Sequence, residues 1–365
     1  MDKARPDWNG KGLSIGELHV RAPIVQGGMG IGVSRSRLAG AVAREGGMGV
    51  ISAAQVGYDQ PDFRRDPEGA NLRALKQQIH RARELSEGRG LIGVNLMAVT
   101  QLYEDYVRAC IEAGADAIIS GAGLPVSLPK DAEGSDILLA PIVSSAKSAR
   151  VILKSWDRKC HRTADFLVIE GPLAGGHLGF SRQEIEAFDS KSYESEIQEI
   201  LRVKETFEEK YDKKIPVFSA GGIFTAEDVR RQIALGCDGV QVASRFVATE
   251  ECDASPEYKR AYIEAGTEDI EIIKSPVGMP GRALRNSFIE RVRDGREKIT
   301  GCFNCLKACN PATADYCITQ ALIDAVNGDR ENGLFFCGAR IGEISEMTTV
   351  KDLIDELSGR GAVSL

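Results

Sequence analysis

Between residues 20 and 250, eight short apolar segments rich in β-branched residues alternate with longer amphipathic ones, and few chain topologies satisfy that rhythm. The apolar segments fall near residues 22–26 (APIVQ), 48–53 (MGVISA), 91–95 (LIGVN), 116–120 (DAIIS), 137–143 (ILLAPIV), 165–169 (DFLVI), 215–219 (IPVFS) and 239–243 (GVQVA). Each is apolar on both faces, as a parallel strand buried between two layers must be. The amphipathic stretches Arg37–Glu45, Asn71–Glu87, Leu102–Ala113, Ser145–Ser155, Glu194–Lys210 and Ala226–Ala234 read as helices, and Gly46, Gly88, Gly114 and Gly236 stand where such helices stop. Eight βα repeats predict an α/β fold of the closed (β/α)8 type, a TIM barrel. An open dinucleotide-binding sheet would instead want G-x-G-x-x-G after the first strand and an acid at the end of the second. Here the first turn reads GGMGIG, which fits only in part, and Ser52 and Ala53 end the second strand.

The rhythm breaks over residues 180–193 and stops beyond about residue 251, where Pro256, Pro276, Pro280 and Pro311 accompany a cysteine-dense patch at 302–317. Helical patterns return only near Tyr316–Val326 and Val350–Leu357. The division expected is a barrel over residues 1–250 and a C-terminal extension over 251–365 packed on it, since so few apolar stripes would make a thin core alone. A net charge of -7 leaves no basic footprint for nucleic acid. No window approaches the 18 uninterrupted apolar residues of a membrane span, and the N-terminal MDKARPDWNGKG is polar and glycine-broken rather than a secretory leader. These features predict a cytoplasmic protein acting on a small molecule, and they are compatible with a homo-oligomer. In a reducing compartment the nine cysteines read as metal or redox groups before they read as disulfides.

Glycines cluster where strands should end: Gly27-Gly28-Met29-Gly30, Gly121-Ala122-Gly123, Gly175-Gly176-His177-Leu178-Gly179 and Ala220-Gly221-Gly222-Ile223. Barrel active sites form from those loops, and glycine lets backbone N–H groups approach an anion or a flat ring without a Cβ between them. After the seventh strand, Gly221 and Gly222 precede Thr225, whose spacing to Asp228 suits a capping box and a positive helix end. After the eighth, Gln241, Val242, Ala243 and Ser244 bring small residues and a hydroxyl to the same place, with Arg245 beside them. A phosphorylated ligand is the economical reading. His177, framed by glycines just past the sixth strand, is the catalytic candidate among four histidines.

PIVQGGMGIGVS with LAGAVAREGGMGVIS, GVNLM, IEGPLAGGHLG, PVFSAGGI, GVQVASRF and VGMPGRALRN, in that order over roughly residues 20–290, resemble the nitronate monooxygenase (2-nitropropane dioxygenase-like) flavoproteins. That family includes an FMN-dependent enoyl-acyl-carrier-protein reductase. The resemblance implies that Gly28 and Met29 border the flavin ring and that Asn95 contacts it. Glu170 and Gly175 would line its ring and ribityl side, and Gly222, Gln241, Ala243 and Ser244 would hold the phosphate. His177 would act as base toward a nitroalkane, as electrostatic partner of a nitronate, or as proton donor to an acyl substrate. Glu170 stands where many monooxygenases carry glutamine, SGAG at 120–123 is similar to the reductase branch, and Ala243-Ser244 replaces a more usual glycine-threonine pair.

The cysteines of the extension read Cys302-x2-Cys305-x3-Cys309-x7-Cys317, with Cys337 further on. Such spacing suits a [4Fe-4S] cluster, a structural zinc, or free redox-active thiols. The resulting expectation is an FMN-dependent oxidoreductase, foremost one that oxidises alkyl nitronates with O2. The alternatives are an NAD(P)H-dependent enoyl-thioester reductase and a flavin-binding electron-carrier or regulatory subunit.

Overall fold

All eight apolar segments pair as parallel strands in the computed structural model, which describes residues 12–360. The N-terminal stretch up to residue 11, read above as carrying no leader, lies outside the described residues. The barrel strands are β1 (Ile24–Gln26), β2 (Met48–Ser52), β3 (Leu91–Met97), β4 (Ala117–Gly121), β5 (Leu138–Val143), β6 (Leu167–Glu170), β7 (Val217–Ala220) and β8 (Gly239–Val242). β8 pairs with β1 through Val240 opposite Ile24 and Val242 opposite Gln26, so the sheet has no edge. Val25, Val50, Ile119, Val168 and Phe218 fill the barrel interior. An antiparallel hairpin, Leu13–Ile15 with Leu18–Val20, adds Ile15 and Val20 to that cluster and plugs the end away from the strand C-termini. The outward residues of the same strands, among them Ile51, Val94, Ile118 and Ile169, pack against the helix layer.

The helices follow the sequence pattern, with boundaries moved by caps. The second begins at Pro67 rather than Asn71, because the Asp66 side chain accepts the Gly69 N–H and proline suits the first turn. The fifth strand's helix, Ala146–Cys160, starts at a Ser145/Ser148 capping box and runs past Ser155. Asp189 caps Ser190–Tyr211 ahead of the expected start at Glu194. Gly46, Gly88, Gly114 and Gly236 all adopt positive φ, as helix-ending glycines do.

Only one turn, Ser244–Val247, directly follows β8. The place of an eighth helix is taken by Val350–Leu357 from the far end of the chain, packed against Ser36–Arg44 and Ala226–Ala234. Its Val350, Leu353, Ile354 and Leu357 share one cluster with Leu38, Val42 and Phe246. Between these points lie helices Pro256–Glu264, Ser287–Asp294 and Ile318–Val326, and an antiparallel hairpin of Ile270–Lys274 with Pro280–Leu284. No helix among the described residues is long and apolar enough to cross a membrane.

The first barrel helix shows why distant residues matter. Its N-cap is Arg35, which has no capping oxygen. Asp253 supplies one, accepting the backbone N–H groups of Arg35 at 2.8 Å, Leu38 at 3.1 Å and Arg37 at 3.2 Å. Removing this carboxylate strands three helix-start donors, so Asp253→Ala is expected to lower unfolding free energy by about 1–2 kcal/mol. Urea unfolding checks this, and a midpoint equal to that of the unsubstituted protein would contradict it.

Candidate active site

The strand C-termini open into a cavity of about 280 Å³. Gly28, Met29, Asn95, Glu170, Gly175, His177, Gly221, Gly222, Gln241, Val242, Ala243 and Ser244 all line it, so every cavity residue picked from the sequence comes to one place. The close approach of β1 to β3 is possible because residue 28 has no side chain; a Cβ there would stand 2.5 Å from Asn95 Cβ. Gly221 and Gly222 both occupy the left-handed region, at φ +95° and +75°, turning the chain so that it skirts the cavity after β7.

The β7–β8 end of the cavity carries two arginines, Arg245 and Arg340, paired with the carboxylates of Glu356, Asp228 and Glu343. Thr225 and Asp228 form the capping box expected for Ala226–Ala234, and the Asp228 carboxylate also accepts from Arg340 Nη1 at 2.6 Å. Arg340 donates as well to the Gly222 carbonyl at 3.0 Å. Arg245 and Arg340 both lie over the Phe224 ring, 4.5 and 5.0 Å from its centroid. Arg245 is further held by Glu356 through two contacts, at 2.7 and 2.8 Å. Ser244 Oγ accepts the Gly338 N–H at 3.0 Å, which leaves its own proton free to donate. Two guanidiniums, a hydroxyl and glycine-turned backbone are a donor set suited to phosphate.

The end of β6 and the loop after it, next to β7, hold two titratable groups with opposed environments. Glu170 ends β6, and burial lifts its carboxyl to about 7 against the pull of the Gly179 N–H. Burial lowers the His177 imidazole to about 4, so the ring is neutral across the physiological range. Its Nε2 shares a 2.8 Å hydrogen bond with Ser275 Oγ, and its ring meets the Phe336 ring edge-on at 4.9 Å. The loop is not free: Gly176–His177 forms a short strand whose His177 pairs with Gly281. Buried Arg282 ties the same loop down, donating to the Pro172 carbonyl at 2.9 Å and to the Ala174 carbonyl.

Sequence reasoning missed the residues from the C-terminal part. Ser275, Arg282, Phe336 and Arg340 reach the site from beyond residue 251, and Phe336–Arg340 form a wall of the cavity. The one available signal was VGMPGRALRN, which contains Arg282 and sits just after Ser275. Of the cysteines, Cys305 and Cys337 line the cavity. Cys337 is buried with the Tyr258 and Tyr262 side chains, apart from the 302–317 patch. All nine cysteines are free. Among the described residues no three His, Cys, Asp or Glu side chains are grouped so that they could hold one metal ion. The sequence-predicted set Cys302, Cys305, Cys309 and Cys317 therefore does not form a single-ion site.

Strand ends converging on a phosphate-type donor set and a buried histidine define a TIM-barrel enzyme with its active site at the mouth. Residues 13–359 match the sequence profile of nitronate monooxygenase, and the chain belongs to that family of oxidoreductases. It is similar to the (3aS,4S,5R,7aS)-5-hydroxy-7a-methyl-1-oxo-octahydro-1H-indene-4-carboxyl-CoA dehydrogenase of Mycobacterium tuberculosis, 24% identical over 278 residues that cover 76% of this chain and 67% of that protein. A probable nitronate monooxygenase of Staphylococcus saprophyticus is 24% identical over 305 residues, covering 78% and 81%. The solved structure of FabK from Thermotoga maritima superposes with a TM-score of 0.71 at 27% identity, covering 93% of both chains.

The two shifts act oppositely on stability. Below 6.5 the unfolded chain protonates His177 before the folded one does, so this group costs stability as pH falls from 6.5 toward 4. Above 4.5 the folded chain keeps the Glu170 proton that the unfolded chain loses, so this group costs stability as pH rises from 4.5 toward 7. Relative to the unsubstituted protein, Glu170→Gln should gain stability with rising pH over that window and His177→Asn with falling pH. The slope is at most roughly 1.4 kcal/mol per pH unit, the limit for one linked proton. Denaturant titrations at a series of pH values measure it; a stability difference that ignores pH would refute the opposed environments.

Proposed function

We propose that the chain binds FMN across the barrel mouth and oxidises alkyl nitronates with O2. The observation that carries this is the meeting, in one cavity, of a phosphate-suited glycine turn and helix start with a neutral buried histidine. Gly221, Gly222, Ala243, Ser244 and Arg340 would hold the phosphate, and Gly28, Met29, Asn95, Glu170 and Gly175 would border the rest of the cofactor. The residues fit the group: Gly221 and Gly222 turn the backbone at the cavity, the Ser244 hydroxyl keeps a proton to donate, and the Ala226–Ala234 helix starts beside them. Bound FMN supplies the electron acceptance and the reactivity toward O2.

The protein's own contribution is position and proton handling. His177, neutral and oriented by Ser275, can accept a proton from a carbon acid such as a nitroalkane. An anionic nitronate entering the cavity would favour the imidazolium and raise its value, so the same ring serves as electrostatic partner of the bound anion. Phe336 and the apolar wall of Ile318 and Leu322 exclude water from that contact.

A second reading is supported by Glu170. A carboxyl held near 7 by burial can donate a hydrogen bond, as the glutamine of many family members would not do in the same way, and the resemblance at this position is to the enoyl-thioester reductases. The Mycobacterium tuberculosis relative is itself named for a carboxyl-CoA substrate. In this reading NAD(P)H reduces the enzyme and an enoyl thioester reoxidises it. Anaerobic mixing separates the two: flavin bleached by a nitronate and indifferent to NADH supports the oxidase reading, whereas bleaching by NADH with turnover of an enoyl thioester supports the reductase.

Two variants test the site under either reading. Gly222→Asp, which sets a carboxylate in the phosphate position and forces a side chain toward Leu173, should yield flavin-free protein; full flavin occupancy would sink the phosphate assignment. His177→Ala should keep its flavin and lose turnover by roughly 10²–10⁴-fold. Turnover equal to the parent enzyme would remove His177 from the chemistry.

A further inference from the structure

We infer that Cys302, Cys305, Cys309 and Cys317 are the ligands of an iron–sulfur cluster held against the wall of the cofactor cavity. The inference starts from a segment that carries four cysteines but no regular secondary structure, held down by Phe303 stacked on Phe63 and by buried Leu306 and Tyr316. From Arg296 to Cys317 the chain forms no helix or strand beyond a single bridge between Leu306 and Thr100. Structureless loops longer than about 12–15 residues are uncommon in a compact domain unless they carry a function. This one is nevertheless pinned across the barrel mouth, with Gln101 N–H donating to the Cys305 carbonyl at 3.3 Å and Lys307 N–H to the Val99 carbonyl at 3.0 Å.

The four thiols gather in it. Each lies close enough to the other three for their charges to interact. Yet no three of them are grouped as ligands of one ion, among the described residues. Both facts hold together for a polynuclear centre, in which each thiolate binds its own iron and the sulfur atoms stand further apart than around a single zinc. Cys337 takes no part, since it is buried elsewhere in the cavity wall.

One backbone donor already meets a sulfur of the patch. The Asn304 N–H points to Cys302 Sγ at 3.4 Å. Cys317 is the N-cap of Ile318–Val326, which sets it at a helix start. Hydrogen bonds to sulfur and a helix N-terminus are means by which proteins stabilise anionic clusters. Cys305 and Thr319 also line the cofactor cavity, which sets the cluster beside it.

The inference stands independently of the FMN reading, because iron and sulfide can be counted whether or not flavin is bound. Full-length protein purified anaerobically should contain iron and acid-labile sulfide in equal amounts and give an electron paramagnetic resonance signal after dithionite reduction. In Cys302→Ala/Cys309→Ala both should fall to background, while circular dichroism, gel-filtration volume and flavin content match the parent protein. Cys160→Ser, at a thiol outside the patch, should keep iron and sulfide unchanged and serves as the control for any folding loss. Stoichiometric zinc without sulfide, or neither metal nor sulfide in the unsubstituted protein, would overturn the assignment, as would iron retained by the double variant.

Discussion

Closure of the barrel is the constraint on which the rest depends. Once Val240 and Val242 of β8 pair with Ile24 and Gln26 of β1, the eight strand ends are forced into one ring. A parallel sheet leaves its C-terminal loops on the same side, so Gly28, Glu170, Gly221 and Ser244, scattered over more than half the chain, converge on a single cavity. An open sheet made of the same segments would distribute those residues along a crevice instead. The interior packing that permits closure is simple: β-branched and aromatic side chains such as Val25, Val168 and Phe218 fill the barrel, with Ile15 and Val20 stopping its lower end.

The site is completed by the second part of the chain. Arg282 shows how: its guanidinium is buried and donates to the carbonyls of Pro172 and Ala174, two groups that the loop after β6 exposes because it is neither helix nor strand. That contact, together with the pairing of His177 and Gly281, gives a glycine-rich loop the rigidity a positioned imidazole needs. Ser275 then fixes the ring through Nε2. Arg340 does the analogous work at the β7 end, joining the Gly222 carbonyl to the Asp228 carboxylate and so linking the glycine turn to the helix start. The chemistry-bearing glycines and histidine come from the barrel, and what holds them comes largely from outside its βα repeats.

Much of this was legible in the primary structure, for a definite reason. Strands such as LIGVN and GVQVA are apolar on both faces, which only a buried parallel sheet requires, and helices such as Ala226–Ala234 carry their own cap in Thr225. Glycine pairs at strand ends mark the mouth because positive φ and close approach are local demands, met at Gly221 and Gly222 by the residue itself. Helix starts were misplaced where a cap lay upstream of the apolar pattern, as at Asp66 and Asp189. The eighth helix was not assigned to the ring, since nothing local to Val350–Leu357 says which helices it lies between.

The sequence by itself thus determined the barrel, the ring of glycines and the histidine at its mouth, because each rests on periodicity or on a backbone conformation that neighbouring residues dictate. Only the tertiary structure decided what surrounds them. Asp253 caps a helix 218 residues earlier in the chain, and Arg282 grips a carbonyl 108 residues before it. An apolar stripe or a lone arginine announces that a group must be buried or paired, but its partner is chosen by the path of the whole chain, which brings together residues that no local pattern connects.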